Sequence, residues 1–206
     1  MAYNHLFSPI KIGSVEIPNR IALMPMGVLS PRMMNRDGSY TKDGADYYIE
    51  RAKGGTGLII TGIAPIPPGE FLPSIVNNPA TYTENTKYLA DGVHKYGSKV
   101  FIMISAMSGR AGTPGGIAPS ALPNVWNPRE LQREMTADEI RQYIEWFAIG
   151  AKAAKDAGVD GVEIHAVHEG YLLDQFAISS FNKRTDEYGG PLENRLRFAV
   201  EAVQAV

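Results

Sequence analysis

Cysteine is absent from the 206 residues, which excludes disulfides, a thiol nucleophile and a cysteine-ligated metal within them. Long hydrophobic runs are also missing, since none reaches the roughly 18 residues that span a bilayer. No basic excess exists, because 20 Lys and Arg face 22 Asp and Glu for a net charge of -2, which argues against nucleic acid as a partner. The N-terminus has no basic segment followed by an apolar stretch. We therefore expect a cytoplasmic protein that binds neither membrane nor nucleic acid.

What is present is an ordinary globular composition, with 44% hydrophobic and 20% charged residues. Four short, nearly continuous apolar runs are typical of strands buried on both faces. They alternate with segments of helical spacing, one of which begins with the capping box Thr136–Glu139. The predicted strands are 19–26, 57–62, 99–105 and 161–167, and the predicted helices are 41–53, 83–96, 136–158 and 191–206.

Strands that alternate with helices predict a parallel sheet, either doubly wound or a TIM (β/α)8 barrel. Both place ligands at the carboxyl ends of the strands, here just after Met24, Ile60, Ile104 and Ile164. The Gly- and Pro-rich segment 106–135 is expected to be a binding loop or lid. A barrel needs eight βα units in about 250 residues, so four units predict half a barrel, completed by a longer chain or by another polypeptide.

The residues after the fourth predicted strand carry the strongest chemical signal. His165, His168, Glu169 and Tyr171 leave the end of one buried strand together. Imidazole N–H groups can stabilise an enolate oxygen, and a phenol can deliver a proton. Isolated histidines are more often structural, and two histidines without further ligands are weak evidence for zinc. The cluster is therefore a candidate active site, with no metal expected.

Four stretches of sequence carry a resemblance to a known family. They are residues 6–13 with 19–21, residues 25–26, residues 133–136, and residues 165–176 with 182–190 and 193–195. In these the chain resembles the Old Yellow Enzyme family of FMN-dependent ene reductases, in its 2-enoate reductase and 2,4-dienoyl-CoA reductase branch. The resemblance implies a TIM (β/α)8 barrel, with residues 1–206 as the N-terminal part of its flavin-binding domain, about the first four βα units.

The resemblance also implies FMN as cofactor and NADH or NADPH as electron donor. An iron–sulfur cluster and FAD belong to further regions of such proteins, outside this chain. Because the flavin phosphate site lies on later strands, we expect the 206 residues alone to bind FMN weakly or not at all. The residues implied to contact the flavin are Pro25, Met26 and Gly27 at the ring, Gly62 near its polar edge, Met103 (or Ile104) in place of the usual glutamine, and His165.

For catalysis, the resemblance implies that His165 and His168 hold the substrate oxygen over the flavin. Tyr171 would protonate the α carbon, on the face opposite to hydride transfer. The spacing from His165 to Tyr171 is one residue longer than is usual in the family. Alignment from the strand pairs His165 with His168, whereas alignment back from Tyr171 puts Glu169 in that place, so both remain candidates.

The expected function is an ene reductase that reduces the C=C bond of an α,β-unsaturated acid, thioester or ketone with electrons from NAD(P)H. One alternative is an amine dehydrogenase of the same family. Another is a non-catalytic half barrel that needs a partner chain. The expected partners are a small unsaturated carbonyl compound and either the remainder of the barrel or a second copy of the chain.

Overall fold

A computed structural model describes residues 3–26, 30–69, 73–166, 168 and 171–206. It divides into two compact units, which we call the first unit (Met1–Ile104 and Gly150–Glu163) and the second unit (Ser105–Ile149 and Ile164–Val206). Within the described ranges, no helix has both the length and the apolar character to cross a bilayer.

Strands and helices alternate along the chain. The strands are β1 (Ile10–Ile12), β2 (Val15–Ile17), β3 (Ala22–Leu23), β4 (Leu58–Pro65), β5 (Lys99–Ser105), β6 (Ile117–Ala118), β7 (Arg133–Glu134) and β8 (Gly161–Ile164). The α-helices are α1 (Lys42–Lys53), α2 (Pro79–His94), α3 (Ala137–Asp156), α4 (Leu172–Ala177) and α5 (Leu192–Ala205).

The first unit is built on a four-stranded sheet in the order β3-β4-β5-β8. β3 and β4 pair in parallel, with Ala22 opposite Leu58 and Leu23 opposite Ile59. All eight residues of β4 are buried, as expected for a strand of a sheet covered on both faces. The predicted α/β class with a parallel sheet is confirmed.

Three of the four predicted helices, α1, α3 and α5, begin within one residue of the predicted start, because capping depends on neighbours in sequence. The Thr41 side chain accepts a hydrogen bond from the Gly44 N–H at the start of α1. At the start of α3, the Thr136 hydroxyl accepts from the Glu139 N–H, and the Glu139 carboxylate accepts from the Thr136 N–H. Arg133 hydrogen-bonds the same carboxylate and, with Thr136, lowers the pKa of Glu139 to about 2. The capping box is confirmed.

Several predicted boundaries are wrong. The first strand was expected over 19–26, but only Ala22–Leu23 joins the sheet, since the Asn19 side chain accepts from the Ile21 N–H and donates to the Gly55 carbonyl. α2 begins at Pro79 rather than at 83 because Asn78 caps it and proline suits the first helical turn. β4 continues to Pro65, past the predicted end at 62. β8 ends at Ile164, before the predicted end at 167.

Several short elements were not predicted. Residues before β3 form the antiparallel hairpin β1–β2, with Ile10 opposite Ile17. The segment 106–135, expected to be an irregular loop, contains the parallel pair β6–β7 and a short helical turn, Gly109–Ala111. The polar connection after β8 contains the six-residue helix α4.

The core of the second unit combines packed aromatic rings with a buried cation. Phe176 and Phe198 meet edge to face with centroids 5.1 Å apart. The Arg184 guanidinium is buried, donates to the carbonyls of Pro119 and Met135, and pairs with Asp186. It therefore holds chain segments together that are far apart in sequence.

Candidate functional site

Three aromatic side chains of the second unit converge directly after β8. The ring centroids of His165 and His168 lie 5.3 Å apart, and the Tyr171 ring lies 5.0 Å from the first and 5.5 Å from the second. Tyr171 meets both imidazoles at steep angles of 84° and 71°. Three side chains that the sequence singled out therefore form one cluster.

The two imidazoles are hydrogen-bonded to each other. Nε2 of His165 lies 3.2 Å from Nδ1 of His168, so one of these two facing nitrogens carries a hydrogen and the other accepts it. Burial lowers the pKa of His165, and the neighbouring His168 lowers it further, while Asp174 acts in the opposite direction. His165 is therefore a neutral imidazole near pH 7, which is a hydrogen-bond donor and acceptor rather than a cation.

The short helix α4 fixes where Tyr171 lies. Its apolar residues Leu172, Leu173 and Phe176 are buried. The Leu172 N–H, next in sequence to Tyr171, donates to the Met107 carbonyl at 3.2 Å. The buried Gln175 side chain accepts from the Arg110 N–H at 3.1 Å. The backbone that carries the phenol is thus attached to the segment after β5.

A buried carboxylate next to the histidines was not predicted from the sequence. Asp174 on α4 is only 6% exposed, and its Oδ2 accepts from the His168 backbone N–H at 2.5 Å. A signal did exist, because Asp174 and Gln175 are polar residues within an otherwise apolar stretch from Leu172 to Phe176. Buried charges of this kind are rare unless they have partners.

The backbone after β3 carries the first group of predicted flavin contacts, in the first unit. Met24 and Met26 flank Pro25 and are 64% and 69% exposed. Gly27 lies outside the described residues. Large apolar side chains at the carboxyl end of a strand fit the flat face of an aromatic ring system such as that of a flavin. The residues present here therefore fit one face of the isoalloxazine ring.

The other predicted flavin contacts in the first unit lie inside strands. Gly62 is within β4, where its N–H donates to the Tyr48 hydroxyl at 2.8 Å and its carbonyl accepts from the Tyr40 hydroxyl at 3.0 Å. These groups are therefore already partnered. Met103 is 4% exposed and Ile104 fully buried within β5, and neither side chain offers the hydrogen bonds that a glutamine amide would make.

Glu169, the alternative to His168, lies outside the described residues, so the pairing of His165 with His168 is described without it. Among the residues that the structure describes, no group of three His, Cys, Asp or Glu side chains is arranged to hold a metal ion.

Comparison with known proteins agrees with these features. The sequence profile of the NADH:flavin oxidoreductase / NADH oxidase family matches residues 5–206. Cinnamate reductase of Clostridium sporogenes is 49% identical, over 99% of this chain and 32% of its own length. N,N-dimethylglycine/sarcosine dehydrogenase of Chromohalobacter salexigens is 36% identical, over 100% of this chain and 30% of its own length.

The fold is also that of a solved structure. Old Yellow Enzyme from Pichia sp. AKU4542 superimposes with a TM-score of 0.83 at 33% identity, over 98% of this chain and 55% of that one. The chain thus spans about a third of the length of these two relatives and about half of this barrel. The expected fold class, with the chain covering part of a TIM barrel, is confirmed.

Proposed function

Because the chain belongs to the NADH:flavin oxidoreductase / NADH oxidase family, we propose that it forms the substrate-activating part of an FMN-dependent ene reductase. The substrate is an α,β-unsaturated acid related to cinnamate, and NADH or NADPH provides the electrons. The observation that carries the proposal is the convergence of His165, His168 and Tyr171 after β8. It joins two oxygen-binding groups to one proton donor.

The histidine pair binds and polarises the substrate oxygen. An oxygen between the facing nitrogens of His165 and His168 replaces the hydrogen bond that they make to each other and accepts one N–H from each ring. As the double bond is reduced, negative charge grows on that oxygen, and donors already in place stabilise it. The lowered pKa of His165 keeps this ring neutral, so the pair acts by hydrogen bonding.

FMN, when bound, supplies the hydride that reaches the β carbon. In the first unit, Pro25 and Met26 would contact the flat face of the ring, and the exposed apolar surface there supports this role. In the second unit, the Tyr171 hydroxyl would protonate the α carbon. Attachment of α4 through Leu172 and Gln175 keeps the phenol in place during the transfer, as general acid catalysis requires.

An unsaturated acid is favoured over the other substrate classes because cinnamate carries its carboxylate directly on the C=C bond. The N–H groups of two imidazoles suit such an oxygen acceptor. The carboxylate oxygen carries negative charge and is therefore a stronger hydrogen-bond acceptor for the same pair than the carbonyl oxygen of a thioester or ketone. We expect these compounds to be reduced more slowly than the acid by the same protein.

The test separates the two half-reactions of the intact protein, with all eight barrel strands and loaded with FMN. Reduction of the bound flavin by NAD(P)H and its reoxidation by cinnamate are followed anaerobically through the flavin absorbance. Tyr171→Phe should slow reoxidation by about 10²- to 10⁴-fold, the usual contribution of a general acid, and leave flavin reduction within a few-fold. Tyr188→Phe is the matched control, because its hydroxyl is bonded to Glu201. Equal slowing of both half-reactions would reject the proton-donor role.

An amine dehydrogenase is the second candidate, favoured by the similarity to N,N-dimethylglycine/sarcosine dehydrogenase. A cationic amine nitrogen, however, has no lone pair to accept an imidazole N–H. Anaerobic bleaching of the flavin by dimethylglycine without NAD(P)H would support this alternative over the ene reductase. If the intact protein with all eight strands stays colourless with added FMN, the reductase proposal fails and a non-catalytic protein is indicated.

A further inference from the structure

We propose that Asp174 is a positioning residue, which holds His168 at hydrogen-bond distance from His165 so that both imidazoles reach the same substrate oxygen. This inference rests on the proposed function and adds to it a residue that does not touch the substrate.

The first support is the burial of the carboxylate. Asp174 is 6% exposed on a helix whose neighbouring side chains Leu172, Leu173 and Phe176 are apolar and buried. Burying a charged group is unfavourable unless hydrogen bonds compensate for the lost water. An apolar residue would fill this position without that penalty. The carboxylate is therefore better explained by what it binds than by packing alone.

The second support is what the carboxylate binds. Its Oδ2 accepts the backbone N–H of His168 at 2.5 Å, a charge-assisted bond of the strong kind. The two residues are six apart, one before α4 and the other within it. The bond therefore connects the segment that carries His168 to a helix that is itself attached at Leu172 and Gln175.

The third support is that the two imidazoles can act together only over a narrow range of distances. The His168 imidazole is exposed, and the contact that defines its place is the 3.2 Å approach to His165. An N–H hydrogen bond weakens steeply beyond this distance. A shift of about 1 Å in a positioned group is enough to lower catalysis markedly. The backbone anchor at Asp174 therefore determines whether the two donors meet.

The pair has a signature that can be measured without catalysis. When the rings are bonded to each other, one of the two facing nitrogens lacks a hydrogen. When an oxygen lies between them, both facing nitrogens carry one, so one ring changes its tautomer. Nitrogen-15 signals of labelled histidine distinguish these forms. An anchored pair gives one defined pattern, and its pattern changes on addition of a carboxylate ligand.

The experiment compares four variants of the FMN-loaded protein. Asp174→Ala removes the side-chain oxygen that accepts the His168 N–H. Asp174→Ser keeps an oxygen but on a shorter side chain, and Asp174→Asn keeps an oxygen on a side chain of the same length. Tyr188→Phe is the control, since Tyr188 is also buried in the second unit but its hydroxyl binds Glu201 on α5. The readouts are the dissociation constant of cinnamate for the oxidised protein and the nitrogen-15 pattern of His165 and His168.

We expect Asp174→Ala and Asp174→Ser to raise the dissociation constant by about tenfold or more, as the loss of one well-placed hydrogen bond does. The nitrogen-15 pattern that reports the hydrogen bond between the two imidazoles should also disappear in these two variants. Asp174→Asn should restore both readouts, and Tyr188→Phe should leave both unchanged. The Ser variant decides the question if the Ala variant does not fold.

Two results overturn the inference. One is an unaltered imidazole pattern in the Ala or Ser variant, and the other is an equal loss of the pattern in Tyr188→Phe. Failure of the proposed function looks different, because the wild-type protein would then neither bind nor reduce cinnamate. The imidazole patterns of wild type and variants would still test the role of Asp174 in that case.

Discussion

Two buried tyrosines that bind the backbone of Gly62 provide a sharp test of the hydrogen-bond geometry in the first unit. In an extended strand the N–H and C=O of one residue point to the same side. Tyr48 accepts from the Gly62 N–H at 2.8 Å and Tyr40 donates to its carbonyl at 3.0 Å. The hydroxyls thus take the place of a neighbouring strand, because β3 pairs only with Leu58 and Ile59.

Both tyrosines are buried, but removal of their hydroxyls should not cost the same. Tyr48→Phe leaves the Gly62 N–H buried without its acceptor, which should reduce the free energy of unfolding by about 1–3 kcal/mol. After Tyr40→Phe, the carbonyl still accepts from the Thr61 hydroxyl at 3.1 Å, so about 0.5–1.5 kcal/mol should be lost. The lost contact between the tyrosine hydroxyls is long, at 3.4 Å, and adds little.

Burial raises the pKa of both tyrosines, so each substitution removes a neutral hydroxyl at any ordinary pH. The edge-to-face contact of the two rings, at 5.0 Å and 76°, is kept by phenylalanine.

The assay is urea unfolding followed by circular dichroism, with the change in free energy taken from the midpoint and the slope. Tyr88→Phe is the control, because its hydroxyl binds Asp46 at the surface and surface changes usually stay within about 0.5 kcal/mol. The reasoning is refuted if Tyr40→Phe destabilises the protein as much as Tyr48→Phe or more.

Two further predictions concern stability. Burial acts to raise the pKa of Asp160, but hydrogen bonds from His94, the Val100 N–H and Lys99 outweigh it and lower the pKa. The stability that this carboxylate contributes is therefore present above its unfolded pKa of about 3.9 and is lost as the pH falls through the lower folded value. Urea midpoints measured between pH 5 and pH 3 should fall more steeply for wild type than for Asp160→Asn, and parallel curves would contradict this. Gly189→Ala should destabilise by about 3 kcal/mol or more, since its Cβ would lie 2.2 Å from the Arg184 carbonyl oxygen. Gly190 has φ +79° and open space around it, so Gly190→Ala should lower the free energy of unfolding by only about 1–2 kcal/mol. Both variants are measured by thermal melting followed by circular dichroism, and equal losses would contradict the close contact at Gly189.

The best sequence-based predictions concern features that depend on near neighbours in the chain. β5 was predicted with its exact bounds because a continuous apolar run between turns is typical of a buried parallel strand. The capping box of α3 needs only Thr136 and Glu139, three residues apart. The start of α2 was predicted too late, because the apolar spacing begins later in the chain than the cap at Asn78.

The predicted members of the site divide in the same way. His165, His168 and Tyr171 could be grouped from the sequence because they follow one strand within a few residues. Their hydrogen bond, and the contact of Asp174 with the His168 N–H, could not be predicted, because both depend on the positions that side chains and backbone take in three dimensions. The flavin contacts assigned to Pro25, Met26, Gly62 and Met103 remain predictions.

The sequence by itself determined the alternation of strands and helices, the family and the residue types of the candidate site, because periodicity, caps and motifs are local. Only the tertiary structure decided which polar groups are buried and what they bind. The Tyr48 hydroxyl on Gly62, the Arg184 guanidinium on two distant carbonyls and the Asp174 carboxylate at His168 all follow from one requirement. A buried polar group must find a partner, and that partner often lies far away in the sequence.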